Sequence, residues 1–324
     1  MPWMYYRYPN PGTLRLSGGD RLAFLDSLTT NRLEALTRTE AVITVLTNAA
    51  GRILDVLIVL ESDHDSLLVL TLPGRGETTL TYLRNQMEAT SASVPLASLR
   101  KTTRRYAVEV HDESRLWDQA ILLPGEGALP PGLQPPQAPG HTQRFPNGSA
   151  AISLPGVLGG GLLLLHPKGV TVMMLAHTHL LSPETYTYER VRRGILGPDT
   201  ELTAEFSPFE VGLAPWVDVA KTGFPGRTML AYAARQPERG RAIVGMRLAS
   251  PVMLPATVRR GEEQIGHLTS VAVAEKTAIA LAAIRRPFHR AGTQVTVHTI
   301  TGAREDAIPA TVTALPIPEI PETS

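Results

Sequence analysis

Apolar residues in this chain come in short runs that turn-forming residues separate. Four such runs lie in the first hundred residues, at 13–17, 41–46, 53–60 and 65–71. The Gly-containing TNAAGR between the second and the third is typical of a β-hairpin turn. Helical spacing occurs as well, because Leu22, Leu25 and Leu28 follow a candidate N-cap at Asp20 and residues 76–87 repeat the pattern. Antiparallel strands interleaved with helices predict an α+β fold rather than a doubly wound parallel sheet.

A segment rich in proline and glycine follows these elements. Residues 124–140 read PGEGALPPGLQPPQAPG, which excludes a helix or a central strand and predicts a long exposed loop, with a domain linker as the alternative. Beyond it we expect a hairpin of residues 150–154 and 161–165, and then two helices near 170–180 and 183–193. The expected division is one module of residues 1–240 with two lobes, at about 1–106 and 107–240.

The chain after residue 240 has a different pattern. Short apolar or β-branched runs follow one another at 242–248, 264–267, 269–274, 278–284 and 293–299. Strands at regular spacing, with turns such as 260–263 between them, are typical of a small barrel or sandwich. We predict a C-terminal β-barrel over residues 241–315. A Pro-rich tail at 316–324 is not expected to fold on its own.

Charge and composition exclude several classes of function. The 31 Lys and Arg residues nearly balance the 30 Asp and Glu residues, which gives no electrostatic basis for binding nucleic acid or a membrane surface. The chain has no Cys, which excludes disulfides, a thiol nucleophile and Cys-ligated zinc or iron–sulfur sites. No apolar stretch approaches the roughly 18 residues of a membrane helix, and the N-terminus is unlike a signal peptide. We expect a cytoplasmic protein without nucleic-acid or membrane partners.

The histidines predict neither a metal site nor a hydrolase. His177 and His179 are two residues apart on the expected helix 170–180, so their side chains would point to different faces. The chain contains no HExxH and no GxSxG motif. We therefore predict no metal ligand and no catalytic residue.

Three arginines at the end of the expected helix 183–193 have two interpretations. Arg190, Arg192 and Arg193 can complement the dipole at the C-terminus of that helix. Alternatively they form a site for a carboxylate or phosphate, because arginine binds such groups through two hydrogen bonds.

The segment from residue 201 to residue 230 is the most informative part of the chain. It contains Glu205 and Glu210, an isolated Lys221 and the turn GFPGR at 223–227. Such a turn can bring the backbone close to a flat ligand, stack Phe224 on it and offer a guanidinium to an anionic group. It can equally be a tight connection between domains, and spacing alone leaves both interpretations open.

The order of motifs in this region resembles the glycine-cleavage T-protein/YgfZ superfamily. That family has an Arg, G-I-P, E-L, P-x-E-x-G-L and a Lys in this order, and the chain has Arg190, GIL at 194–196, Glu201 before Leu, PFEVGL at 208–213 and Lys221. The segments LRLSGGDRLAFLDSLTTN, TNAAGRILD, VGMRL and IGHLTSVA are similar to the family too. The resemblance extends from about residue 14 to about residue 297.

The resemblance implies an architecture and a ligand. The lobes and the C-terminal barrel of such proteins surround a central channel, which in relatives holds tetrahydrofolate. A folate-type small molecule is therefore the expected cofactor here. Carried over position by position, the resemblance predicts these cofactor-binding residues: Arg190, Glu201, Glu210, Lys221, Phe224, Gly226 and Arg227.

Two branches of the superfamily differ in function at residues 221–228. YgfZ-type proteins, which act in iron–sulfur cluster assembly and repair, carry K-x-C-Y-x-G-Q-E there. The chain keeps Lys221 and Gly226, and a Phe takes the place of the Tyr, but Gly223 stands at the Cys position. The aminomethyltransferase branch resembles K-x-x-F-x-G-R, which the chain matches through Arg227.

The aminomethyltransferase branch also needs an Asp beside the folate. The corresponding residues 70–80 contain neither Asp nor Asn, and Glu77 is the only carboxylate among them. Arg192 occupies the position of a family Glu that would face the pterin, and a cation is a poor partner for the donor edge of that ring. Aminomethyl transfer is therefore not expected.

The sequence thus predicts a YgfZ-like folate-binding protein without catalytic activity. The resemblance implies a role in iron–sulfur protein maturation or repair, with iron–sulfur client proteins as partners. The alternative is a folate-dependent aminomethyltransferase or another one-carbon transferase. A third reading is a protein whose channel only binds a partner protein.

Overall fold

The structure, a computed structural model, describes residues 2–63, 65–91, 106–274, 277–301 and 304–318. The strands in chain order are β1 (Met4–Arg7), β2 (Gly12–Ser17), β3 (Val42–Thr47), β4 (Ile53–Asp63), β5 (Ser66–Thr71), β6 (Glu109–Asp112), β7 (Trp117–Leu123), β8 (Thr142–Arg144), β9 (Ala150–Ser153), β10 (Leu162–Pro167), β11 (His179–Leu180), β12 (Arg241–Leu248), β13 (Ala256–Arg260), β14 (Glu263–Ala274), β15 (Thr277–Arg285), β16 (Gln294–Thr301) and β17 (Arg304–Thr313). The helices are α1 (Arg21–Leu28), α2 (Gly76–Ser91), α3 (Pro183–Arg193) and α4 (Arg227–Ala234). Two sheets, a closed barrel and a few helices confirm the predicted α+β class with a C-terminal barrel.

The first sheet has the strand order β3-β4-β5-β2-β6. Its strands β3, β4 and β5 are apolar on both faces because α1 and α2 cover one face and the second sheet lies against the other. The predicted hairpin is β3 and β4, antiparallel around the turn at 48–52. The apolar face predicted for α1 is narrower than expected, since Leu25 and Leu28 are buried but Leu22 is 41% exposed. Asp20 precedes α1, but its side chain accepts a hydrogen bond from the N–H of Ala107 instead of capping the helix.

The second sheet has the order β11-β1-β7-β10-β9-β8. It contains the predicted hairpin β9–β10, and the first strand of the chain, β1, pairs with β7 in it. Conversely, β6 pairs with β2 in the first sheet. The two sheets therefore exchange strands across the predicted lobe boundary at 106/107, which sequence order could not reveal.

The prediction of a helix at 170–180 was wrong. This segment is a 3₁₀ turn at Met173–His177 followed by the short strand β11. The N–H of His179 donates to the carbonyl of Trp3, so pairing with β1 takes the place of helical hydrogen bonds. His177 ends the 3₁₀ turn and His179 lies on β11, so the two do not share the predicted helix.

The C-terminal barrel has the closed order β12-β15-β14-β13-β16-β17. The runs predicted as separate strands at 264–267 and 269–274 form the single strand β14, with an irregularity between Leu268 and Ser270. Two strands of the barrel, β13 and β17, were not predicted from the sequence. Small and branched side chains fill the interior, among them Val258, Ala280 and Val312. The other face of β15 packs against α3, which joins the barrel to the cavity described below.

The two Pro-rich segments differ. Residues 124–140 contain no helix or strand, and most of them are exposed, as predicted, although Leu133 is buried against the second sheet. In the tail, the side chain of Ile317 is buried in the main core, and its N–H donates to the carbonyl of Arg192 at 2.7 Å. The rest of the predicted tail, 319–324, and residues 92–105 of the first predicted lobe lie outside the described residues.

Candidate functional site

A cavity of about 410 Å³ lies between the two sheets and α3. One wall is the face of β4 and β5 that points away from α1 and α2, and it includes Val56, Ile58 and Leu70. Successive strand residues point to opposite faces, so Leu57 and Val59 pack under the helices while their neighbours line the cavity. The cavity thus lies between the two sheets, and the resemblance had implied a central channel.

Three tyrosines form the opposite wall. The rings of Tyr6 and Tyr186 stack with their centroids 4.0 Å apart and an angle of 3° between their planes. The ring of Tyr8 meets both at an edge, with centroid distances of 6.1 and 6.4 Å. Burial raises the pKa of Tyr8 well above its usual value and also raises that of Tyr186, so both phenols are neutral at physiological pH.

Sequence reasoning missed this wall. Tyr6 and Tyr8 belong to the YYRY stretch near the N-terminus, and Tyr186 lies about 180 residues further along the chain, on α3. The clustering of tyrosines at the start of the chain was the only local signal. Their contact with Tyr186 depends on the crossing of β1 into the second sheet.

Most polar groups of the cavity are engaged within the protein. The amide nitrogen of Gln119, a buried residue, donates to the carbonyl of Gly12 and to the hydroxyl of Thr13, both at 3.0 Å. The hydroxyl of Thr187 donates to the carbonyl of Pro183. The one carboxylate among the lining residues is that of Asp199 at the rim, which is 83% exposed and 3.5 Å from the guanidinium of Arg75. The inner part of the cavity is therefore uncharged apart from one arginine.

That arginine is Arg190, the predicted ligand-binding residue that lines the cavity. Its guanidinium donates to the carbonyl of Ile195 at 2.9 Å, to the carboxylate of Glu201 at 3.2 Å and to the hydroxyl of Ser270 at 2.8 Å. Glu201 is fully buried and also accepts from the N–H of Gly197 at 2.7 Å. The structure brings Arg190 and Glu201 together, and Ser270 on the barrel strand β14 bonds to both, which joins α3 to the barrel.

The other two arginines at the end of α3 are also paired. The guanidinium groups of Arg192 and Arg193 donate to the same carboxylate oxygen of Glu189, at 2.7 and 2.8 Å. Burial alone would raise the pKa of Glu189, but these two hydrogen bonds lower it below its usual value. Arg192, which stands at the position of the family's pterin-facing Glu, is not among the residues that line the cavity. The contacts support the structural interpretation of this cluster.

A buried carboxylate lies directly behind the cavity. Asp55 on β4 accepts hydrogen bonds from the N–H groups of Val56 at 2.8 Å and Leu72 at 3.1 Å and from the hydroxyl of Thr79 at 2.5 Å. Burial raises the pKa of Asp55 to about 7, against these three hydrogen bonds, which lower it. The carboxylate thereby fixes the turn between β5 and α2, which borders the cavity.

Asp55 was not among the residues that the sequence singled out. Glu77, the only candidate in residues 70–80, is exposed on α2 and does not line the cavity. Asp55 comes from another strand, and its signal was a single acidic residue inside the apolar run ILDVLIVL. A lone Asp in a buried strand requires internal hydrogen-bond donors, which are here supplied by the turn.

Lys221 lies away from the cavity and is buried in an ion pair. Its ammonium group contacts the carboxylate of Asp26 at 3.0 Å and donates to the carbonyls of Thr29 at 2.8 Å and Asn31 at 2.7 Å. Burial lowers the pKa of Lys221, while Asp26 opposes that shift. All three ammonium hydrogens have acceptors, so the side chain ties the 218–221 turn to the end of α1.

The rest of the GFPGR turn makes a close contact with the first sheet. Gly226 has a φ of 81°, and a Cβ at this position would lie 2.4 Å from the carbonyl oxygen of Asn48, which explains the need for glycine. Phe224 is 4% exposed, and the guanidinium of Arg227 donates to the carbonyl of Lys221 at 2.7 Å. Neither they nor Lys221 lines the cavity. Their contacts support the second interpretation of the sequence, a tight connection.

Glu210 lies in a third place, next to the barrel. Its carboxylate accepts from the guanidinium groups of Arg52 at 2.8 Å and Arg241 at 3.1 Å and from the N–H of Ser207 at 2.8 Å. Burial would raise the pKa of Glu210, but these donors lower it below its usual value. The seven residues predicted to bind one ligand are thus distributed over three separate places in the fold.

Within the described residues, no group of three or more His, Asp or Glu side chains is arranged to hold a metal ion. Among the same residues, no helix is both long enough and apolar enough to cross a membrane.

Comparison with known proteins shows the fold. The chain matches no family model and no curated protein. Among solved structures it is similar to the glycine cleavage system aminomethyltransferase T from Bartonella henselae, with a TM-score of 0.71 and 15% sequence identity. The match covers 98% of this chain and 86% of that protein, so the lobes and the barrel are both included. The chain therefore has the T-protein-type fold.

Proposed function

We propose that this protein binds a folate-type ligand in the cavity between its lobes and does not catalyse aminomethyl transfer. The observation that carries the proposal is the cavity itself, with a wall of stacked tyrosines opposite an apolar sheet face. A flat heteroaromatic ring such as a pterin suits these surfaces, because aromatic faces and aliphatic side chains favour planar apolar contact. The similarity in fold to an aminomethyltransferase supports the proposal, as do the sequence motifs.

The charges of the cavity support binding without catalysis. A general acid or base must come within hydrogen-bond distance of the reacting atom. Asp55 is turned away from the cavity and is occupied by three donors. Asp199 is at the rim, exposed to water and close to Arg75. Neither carboxylate is therefore placed to act as a general acid or base on a ligand inside the cavity.

The role in iron–sulfur protein maturation stays a prediction of the sequence resemblance.

The direct test is calorimetric titration of folinic acid into the wild-type protein and a variant with a filled cavity. Thr187 is exposed at the cavity wall, so Thr187→Trp places an indole in the opening without disturbing the core. We expect saturable binding by the wild type and a loss of at least tenfold in affinity for Thr187→Trp. The matched control is Thr185→Trp, also exposed on α3 but absent from the cavity wall. Equal affinity of all three proteins, or no binding by the wild type at millimolar ligand, would reject the proposal.

Aminomethyl transfer is the second candidate, because the similar solved structure is an aminomethyltransferase and one carboxylate does reach the cavity rim. An assay of transfer from an aminomethylated lipoyl carrier to tetrahydrofolate distinguishes the two functions. We expect no product above the rate without protein. Turnover that disappears in Asp199→Asn would instead establish the enzyme.

A further inference from the structure

A second depression, of about 630 Å³, lies on the other side of the GFPGR turn, between α4, the β3–β4 turn and the barrel. It continues into a shallower neighbour, with which it shares Arg52, Glu210, Gly240 and Arg241. We call the combined feature the arginine groove, because five arginines line it: Arg52, Arg239, Arg241, Arg285 and Arg286. The whole chain has a formal net charge of only +1, so this concentration of guanidinium groups is a feature of the groove and not of the chain as a whole.

Three of the five arginines are neutralised inside the protein. Arg52 pairs with Glu210, and Arg241 pairs with both Glu210 and Glu205. Arg285 pairs with Glu263. These ion pairs form part of the groove walls, and they leave the three guanidinium groups few hydrogen-bond donors for a ligand.

Arg239 and Arg286 have no acidic partner in the part of the chain that the structure describes. They are adjacent in space because the N–H of Arg286 donates to the carbonyl of Gly240 at 3.0 Å. The Nε of Arg286 is buried and has no hydrogen-bond acceptor within the described residues. The buried Nε is closed to a ligand, so the terminal nitrogens of Arg239 and Arg286 are the donors that meet an anion in the groove.

The opposite wall of the groove is apolar. Met229 and Tyr232, one turn apart on α4, are 51% and 58% exposed, and Leu230 and Ala233 complete that wall. Exposed side chains of this size are few in the described residues, and here two of them face a pair of unneutralised arginines. The groove therefore offers apolar contact on one side and cationic hydrogen-bond donors on the other.

We propose that the arginine groove binds an organic anion, a carboxylate or phosphate carried on an apolar body. Arg239 and Arg286 hold the anionic head, since two guanidinium groups can each donate paired hydrogen bonds to it. Met229 and Tyr232 cover the apolar body. This site is separate from the cavity between the lobes, and the proposal does not depend on folate binding there.

The test uses 1-naphthyl phosphate and 1-naphthoate as probes, in calorimetric titrations of the full chain at low salt. 1-Naphthol and inorganic phosphate test the apolar body and the anionic head alone. The variants are Arg239→Gln and Arg286→Gln, neither of which removes an ion pair of the fold. The control is Arg235→Gln, the same change at an exposed arginine on the C-cap of α4 that does not line the groove.

We expect at least one naphthyl anion to bind saturably, and the two probes together identify the preferred head group. The affinity of the protein for that naphthyl anion should fall by about tenfold or more in Arg239→Gln and in Arg286→Gln, and should stay within twofold of wild type in Arg235→Gln. Thr187→Trp, which fills the other cavity, should leave it unchanged. Equal binding of 1-naphthol, equal losses in all three arginine variants, loss in Thr187→Trp, or no binding of either anion at millimolar concentration would each overturn the proposal.

Discussion

The cavity between the lobes and the GFPGR turn differ in how their polar groups are used. At the turn, the ammonium of Lys221 and the guanidinium of Arg227 both donate to groups of the protein itself, and Gly226 fits against a backbone carbonyl. The cavity wall instead consists of tyrosine rings and aliphatic side chains that border empty space. A motif of charged residues and glycines can join two parts of a protein as well as hold a ligand. The two uses differ in whether its hydrogen-bond donors are already paired with groups of the protein.

The largest effect is expected at Asp55, directly behind the cavity. Because burial raises its pKa to about 7 from 3.8, the folded state binds its proton more tightly than the unfolded state does. The contribution of Asp55 to stability is therefore fully present below about pH 4 and is lost as the pH rises to about 7. A shift of this size corresponds to roughly 4 kcal/mol in the free energy of unfolding.

Asp55→Asn removes this titration and can keep the acceptor for the N–H groups of Val56 and Leu72. The measurement is the urea midpoint of both proteins from pH 4 to pH 8. We expect the midpoint of the wild type to fall relative to that of the variant across this range. Parallel curves would show that the Asp55 carboxyl ionises normally in its buried site.

The next effect is expected at the turn. Lys221→Met removes the donor that the carboxylate of Asp26 and two backbone carbonyls share. Because the side chain of Asp26 is 35% exposed and keeps the hydrogen bond from the N–H of Leu33, we expect a loss of about 1.5–3 kcal/mol in the free energy of unfolding. Lys168→Met is the control, because it makes the same change at an exposed position. Folinic acid affinity at a temperature where both proteins are folded should be unchanged. Weaker folate binding at unchanged stability would show that Lys221 belongs to the ligand site and not to the connection between the turn and α1.

A smaller effect is expected in the tyrosine wall. Tyr186→Leu removes a ring that lines the cavity, and an aromatic contact between that ring and a pterin is worth about 0.5–1.5 kcal/mol. We expect folinic acid affinity to fall by up to about tenfold. Tyr188→Leu is the control, since Tyr188 lies on the same helix and packs on the same core but does not line the cavity. Equal losses in the two variants would show that the ring acts through stability and not through the ligand.

Local periodicity explains why much of the fold could be predicted. The hairpins β3–β4 and β9–β10 are apolar runs between clear turns, and α2 repeats apolar residues at helical spacing. The barrel strand β13 was missed because only Ala256 and Val258 of its five residues are apolar, and β17 because it begins with charged residues and contains Pro309. Each strand pairs with a neighbour in sequence and with a second strand tens of residues away, and this pairing in the barrel compensates for weak local propensity.

The candidate site was harder to predict because its parts are distant in sequence. Tyr6 and Tyr186 meet only because β1 pairs in the second sheet, and Asp55 reaches the β5–α2 turn from a neighbouring strand. Motif comparison instead selected Lys221, Gly226 and Arg227, whose residue types suit a ligand but whose contacts are internal. Of the seven selected residues, Arg190 alone lines the cavity.

The smallest effect is expected at Arg227, and it is the sharpest test of the comparison. Arg227→Ala removes one hydrogen bond, from its Nε to the carbonyl of Lys221, at a partly buried position. A loss of about 1 kcal/mol in the free energy of unfolding follows from one such bond. Because the side chain does not line the cavity, folinic acid affinity should stay within twofold of the wild-type value. The same calorimetric titration that measures Tyr186→Leu decides the matter. A tenfold weaker affinity at unaltered stability would mean that the turn and the cavity form one ligand site, and the distinction drawn between them would then be wrong.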